Sequence, residues 1–82
     1  MDQLEIKQKL LDFICRNFMV EEDEIDMDKS LVDQGIIDSF GLVEISSFLS
    51  EDFAITVLEN EMNRDNFGSV QKLVQFIERN TI

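Results

Sequence analysis

Ser39 is the residue whose type and setting most invite chemistry. It follows Asp38 in the run Gly35-Ile36-Ile37-Asp38-Ser39-Phe40-Gly41-Leu42-Val43-Glu44. Leu42, Ile45 and Leu49 then recur at spacings of three and four, the mark of a helix opening directly behind the Asp. A helix start presents N–H groups without intrahelical acceptors and carries the positive end of the helix dipole. Such a place stabilises a phosphate, including one esterified to a serine oxygen. A plain helix cap by Asp38 or Ser39 is the other reading of the same residues, and locally both stand. No other serine shares the setting. Ser46, Ser47 and Ser50 fall inside the helical pattern, while Ser30 and Ser69 lack a preceding Asp.

The other reactive side chains point to little. The chain has no His, so neither a Ser-His-Asp triad, a Cys-His pair nor a His-containing zinc site can be built from it. Its single Cys excludes a disulfide framework. Cys15 falls on the apolar side of the first helical pattern beside Leu11, Ile14 and Phe18, which reads as a buried structural thiol rather than a nucleophile. Carboxylates crowd between Val20 and Ser30, and a calcium loop is the obvious test. Counting from Asp26 or Asp28, the sixth position holds Leu31 or Asp33 where Gly is needed. The twelfth holds Ile37 or Ser39 where Glu is needed. The EF-hand fails, leaving a solvated acidic loop anchored by Ile25 and Met27.

The elements that must position Ser39 follow from the apolar periodicity. Ile6, Leu10, Phe13 and Ile14 form one stripe of an amphipathic helix from Gln3 to about Phe18. Ser30-Leu31-Val32-Asp33 has the form of a capping box, with Gly35 at stopping distance. It predicts one short helical turn pinned to the core by Leu31 and Val32. The second long helix runs from Ser39 to about Asp52, with Leu42, Ile45, Phe48, Leu49 and Phe53 inward and Phe40, Val43 and Ser47 outward. Ala54-Ile55-Thr56-Val57-Leu58 alternates like a strand but has no partner, so it reads as an extended connection with Ile55 and Val57 inward. A short helix is predicted around Met62, between Glu59 and Asn63, and a break at Asn66-Phe67-Gly68-Ser69. Ser69 then caps a last helix with Val70, Leu73, Val74 and Ile77 as its stripe. Asn80-Thr81-Ile82 reads as a fraying tail.

Composition agrees with a single all-α domain over residues 1–82. The chain is 82 residues long and 44% hydrophobic, without Pro and with three Gly, so β-turn chemistry is scarce and a packed core is affordable. Its net charge of −11 repels nucleic-acid backbones and anionic lipid surfaces and favours protein partners with basic faces. No apolar run reaches membrane-spanning length and the first residues do not read as a secretory signal, so a cytoplasmic location is expected.

Asp38-Ser39-Phe40 opening a helix in an acidic bundle of about 80 residues, with three long helices and one short, resembles the acyl carrier protein family over essentially the whole chain. The family triplet is Asp-Ser-Leu, and Phe40 is a large apolar residue at the Leu position. The resemblance implies that Ser39 carries 4′-phosphopantetheine, attached by a separate transferase using coenzyme A. An acyl or aminoacyl group would ride there as a thioester, presented to partners by a monomer that performs no catalysis itself. It also implies that Asp38 serves the transferase reaction, and that Phe40, Val43, Glu44, Glu51 and Asp52 dock basic partners.

Ser47 stands where fatty-acid carriers usually show an apolar residue, Ser50 where many show an acid, and Leu58 where Pro is common. The stretch from Gly35 to Gly41 resembles D-alanyl and specialised stand-alone carriers. The expected function is therefore that of a specialised rather than a housekeeping acyl carrier, with fatty-acid or lipid biosynthesis as its expected setting. The alternatives are a D-alanyl or aminoacyl carrier loaded by an adenylating ligase, and a calcium-sensor-like interaction module. An aliphatic chain would seek burial among Ile45, Phe48, Leu49, Val57, Phe67 and Ile77. Phe48 and Phe67 are bulky enough to fill that space themselves, but modest accommodation is expected because a bundle of this size can separate two helices and keep its other contacts.

Overall fold

The first helix, α1 (Gln3–Phe18), starts where Asp2 turns its side chain back to accept the Leu4 N–H at 3.1 Å. It stops where Met19 takes a left-handed conformation. These elements belong to a computed structural model that describes residues 2–81. Ile6, Leu10, Leu11 and Ile14 are buried, so Leu11 takes the place in the stripe that the periodicity gives to Phe13. Phe13 and Cys15 flank it half-buried, so the thiol sits at the rim of the core and not inside it.

The acidic loop is tied down at a few points. A single 3₁₀ turn at Glu22–Glu24 is closed by the Glu24 carboxylate, which accepts the Glu21 N–H at 2.9 Å. Ile25 is buried, and the Met27 carbonyl accepts the Gln71 N–H at 3.0 Å. The Gln34 side chain then binds the loop from within, donating to the carbonyls of Asp26 and Lys29 while accepting the Asp26 N–H.

The expected capping turn is realised in part. The Ser30 hydroxyl accepts the Asp33 N–H at 3.2 Å and the Ser30 carbonyl accepts the Gln34 N–H at 2.9 Å, but the chain turns once and leaves at Gly35, whose φ of +76° glycine adopts freely. Leu31 is fully buried. Val32 is 44% exposed, contrary to the expectation that both residues pin the turn: in a single turn adjacent side chains diverge, and only one can face the core.

The second helix, α2 (Ser39–Phe53), buries Ile45, Phe48, Leu49 and Phe53, with Leu42 half-buried. After Ala54 closes it in a left-handed conformation, the chain is extended to Leu58, with Ile55 buried and Val57 half-buried. The next segment differs from the sequence prediction. Glu59–Glu61 is only a 3₁₀ turn, and the short helix, α3 (Arg64–Phe67), occupies residues assigned in part to the break. The Asn63 side chain caps it by accepting the Asn66 N–H at 3.1 Å, which moves the real interruption to Gly68 and Ser69.

The last helix, α4 (Val70–Asn80), is capped by the Ser69 hydroxyl accepting the Lys72 N–H at 3.2 Å. It buries the predicted stripe and Phe76 besides, because α1 and α3 both pack against it and widen the covered arc. Asn80 is the last helical residue, held by its side chain to the Phe76 carbonyl, while Ile82 lies outside the described residues.

Among the described residues the architecture is all-α, with three long helices and one short. Ring contacts join its elements: Phe13 is stacked on Phe48 with centroids 4.3 Å apart, and Phe67 meets Phe76 at a tilt, 5.6 Å apart. No helix among the described residues is long and apolar enough to cross a membrane.

Candidate functional site

The start of α2 is built by its own sequence. Asp38 is extended, so its side chain can reach back, and Oδ1 accepts the Gly41 N–H at 3.0 Å. The Asp38 carbonyl accepts the Leu42 N–H at 3.3 Å. The N–H groups of Ser39 and Phe40, the first two of the helix, have no intrahelical acceptor and mark the positive end of the dipole. Ser39 is exposed there as the first helical residue. Behind it the approach is tied to the core. Ile37 is buried, and the N–H groups of Ile36 and Ile37 both point to the Leu31 carbonyl, at 3.1 and 3.4 Å.

The candidate docking residues divide between two surroundings. Phe40 is 77% exposed at the helix mouth. Val43, Glu44, Glu51 and Asp52 line a cleft of about 450 Å³ between α1 and α2, whose opposite wall includes Phe13 and Arg16. Val43 is 55% exposed and the three carboxylates are exposed, so all four face solvent along one side of α2.

The six candidate acyl-lining residues are core residues: Ile45, Leu49 and Ile77 are fully buried, Phe48 and Phe67 nearly so, and Val57 half-buried. Phe48 borders the first cleft. Phe67 borders a second, of about 190 Å³, which opens between Val32, Leu42 and Met62.

Gly41 was not singled out by sequence reasoning, yet it is buried against the approach to Ser39. A Cβ placed there would lie 2.7 Å from the Ile37 Cβ and 3.1 Å from the Phe18 ring. The available signal was a glycine in the first turn of a helix, where alanine is intrinsically better by about 1 kcal/mol. The other reactive groups stay apart. Burial pushes the Cys15 thiol above its ordinary pKa of 9.0, aided by Glu22 and Glu21. No group of three or more Cys, Asp or Glu among the described residues is arranged to hold a metal ion.

Comparison with known proteins shows the family to which the chain belongs. Residues 8–77 match the family described as the phosphopantetheine attachment site. The chain belongs to this family. It is a carrier, with 4′-phosphopantetheine held covalently on a serine, and such carriers work with a phosphopantetheinyl transferase and with ligases or other enzymes.

The carrier is similar to the D-alanyl carrier proteins of Streptococcus pyogenes serotype M5 (strain Manfredo) and serotype M1. Each is 36% identical over 75 residues, which cover 92% of this chain and 94% of the relative. Its fold is similar to a chain in a crystal structure of an FAD-dependent dehydrogenase. The TM-score is 0.70 at 25% identity, covering 83% of this carrier and 97% of that chain. The relatives lend no support to a fatty-acid or lipid-biosynthetic role.

Proposed function

We propose that this carrier holds a D-alanyl or similarly small aminoacyl group on 4′-phosphopantetheine attached to Ser39, receiving it from an adenylating ligase and presenting it to partner enzymes. The observation that carries the reading is the likeness to D-alanyl carriers over 94% of their length. The closed core agrees with it. Ile45, Leu49 and Ile77 have no exposed surface, and Phe48 is stacked on Phe13, so beyond the cleft of about 190 Å³ that Phe67 borders the interior offers a long chain no ready room.

The prosthetic group suits the helix mouth. The Ser39 side chain is exposed, the adjacent N–H groups and the dipole favour its phosphate, and the Asp38 carboxylate is engaged by the Gly41 N–H. When attached, the group supplies a thiol that holds cargo as a thioester. The chain's own residues then only present it: Asp38 fixes the helix start, and Phe40, Val43, Glu44, Glu51 and Asp52 form the docking face for basic partner surfaces. On this reading the carrier is a monomer and performs no catalysis.

The test is to incubate the phosphopantetheinylated carrier with ATP, a D-alanine-adenylating ligase and D-alanine. Intact mass spectrometry should find the D-alanyl adduct, lost on hydroxylamine treatment as a thioester is. Absence of an adduct, alongside efficient loading of aliphatic acyl groups by an acyl ligase, overturns the aminoacyl reading.

A further inference from the structure

Gly41 is buried at the third residue of α2, and the space its missing Cβ leaves is occupied by Ile37. An ideal Cβ at 41 would approach the Ile37 Cβ to 2.7 Å and its Cγ2 to 3.2 Å, with the Phe18 ring at 3.1 Å. The first distance is closer than real Cβ atoms come, and both partners in it are rigidly attached to backbone, so a side chain here cannot be absorbed by a rotamer change. Residues 37 and 41 therefore touch, backbone against side chain, across the three residues 38–40 that hold Ser39. Two further ties close the same turn: Asp38 Oδ1 accepts the Gly41 N–H, and the Leu31 carbonyl accepts the Ile37 N–H. Ile37 is 5% exposed, so the contact also anchors the turn to the core.

We propose that the Ile37–Gly41 contact is a positioning device for the modification reaction, with Gly41 and Ile37 as positioning residues that set where the Ser39 hydroxyl stands relative to α2. The inference rests on Ser39 being the attachment site. In the transfer, Ser39 Oγ forms a bond to the phosphorus that bears the pantetheine arm of coenzyme A. The bond from that phosphorus to the bridging pyrophosphate oxygen breaks, adenosine 3′,5′-bisphosphate leaves, and the hydroxyl proton passes to a base of the transferase. No carrier group needs to act on the proton, so the carrier contributes placement. A hydroxyl displaced by even an ångström loses much of the rate while the docked complex still forms. Apart from Phe40, the docking side chains Val43, Glu44, Glu51 and Asp52 belong to the body of α2, whose helical frame a change at position 41 leaves intact.

The experiment measures steady-state transfer from coenzyme A by a broad-specificity phosphopantetheinyl transferase, with the unmodified carrier as varied substrate. Gly41→Ala is expected to lower kcat by about ten- to a hundredfold with KM for the carrier little changed. Ile37→Ala approaches the same contact from the other side, by loosening it, and is expected to lower kcat as well. Ile37→Val keeps the Cβ and Cγ2 that meet Gly41 and should retain the wild-type kcat. Val74→Ala, a buried change in α4 remote from Ser39, reports what lost stability alone does, and each variant's melting temperature is recorded. If Gly41→Ala does not fold, the pair at Ile37 decides.

An unchanged kcat in the Ala variants, or a fall matched by Val74→Ala, overturns the positioning role while leaving the site reading intact. Peptide mapping of the modified wild type separates the two claims: a phosphopantetheinyl group on any residue but Ser39 overturns the site reading, and this inference with it.

Discussion

Asp38 Oδ1 accepts the backbone N–H of Gly41 at 3.0 Å, joining the residue before Ser39 to the residue two beyond it. The acid of the motif is thus engaged in holding the helix start, in addition to whatever it offers a transferase. Asp38→Ala should cost about 0.5–2 kcal/mol of stability, and Asp38→Asn, which keeps an acceptor, much less. Chemical denaturation distinguishes them. Equal losses in the two variants would mean that the negative charge, not the hydrogen bond, stabilises this end of α2.

Glu44 lies on the exposed side of α2 in the cleft facing α1, whereas Glu5 is exposed in the first turn of α1. If docking is electrostatic and local, Glu44→Lys should slow association with the transferase or loading ligase by about tenfold, and Glu5→Lys far less. Added salt should lower the wild-type on-rate by screening the same attraction. Stopped-flow association rates check this. Identical behaviour of the two variants would leave only the overall charge of −11 as the attractant.

The closed core predicts how cargo length affects stability. Acetyl, hexanoyl and decanoyl groups carried on the prosthetic arm should leave the melting temperature nearly flat. Ile45, Leu49 and Ile77 are fully buried, and Phe48 is stacked on Phe13. A sequestered chain would instead stabilise by up to about 0.8 kcal/mol per methylene, less the cost of opening the core. A melting temperature that climbs along the series would show that the interior parts to admit the chain, and would return the aliphatic-cargo reading.

Cys15 supplies a prediction with a sign in pH. Desolvation, with Glu22 and Glu21 adding to it, raises the folded thiol's pKa above 9.0, so the folded state holds this proton more tightly than the unfolded chain. Its contribution to stability is complete below the ordinary thiol value and declines as the pH climbs above it, because the unfolded thiol ionises first. Alkylation of the native carrier by iodoacetamide at neutral pH should be slower than that of free cysteine. Labelling as fast as the free thiol would contradict the raised pKa.

Long elements were legible in the sequence because their apolar residues repeat. Gln3–Phe18 is bounded by Asp2 and Met19 as its stripe predicts, and Ser39–Phe53 and Val70–Asn80 begin at the expected caps. Where the structure departs, no period exists to read. Arg64–Phe67 is too short to show one, and its start depends on an Asn63 side chain that competes with other turn geometries. Val32 was misplaced and Phe76 was not foreseen in the core for a different reason: which flank is covered depends on neighbouring elements, here Phe67 of α3 against Phe76 and solvent over Val32. At the site, Asp38-Ser39 was visible as a motif. The Ile37–Gly41 contact was not, since it is a distance between backbone and side chain that no spacing rule expresses.

The central claim is that Ser39 alone carries the prosthetic group. Wild-type carrier and Ser39→Ala, both shown to be folded by circular dichroism, are incubated with coenzyme A and a phosphopantetheinyl transferase, and their intact masses are compared. The wild type should gain the mass of a single phosphopantetheinyl group and Ser39→Ala none, and a Ser39→Ala protein that still gains that mass would contradict the account.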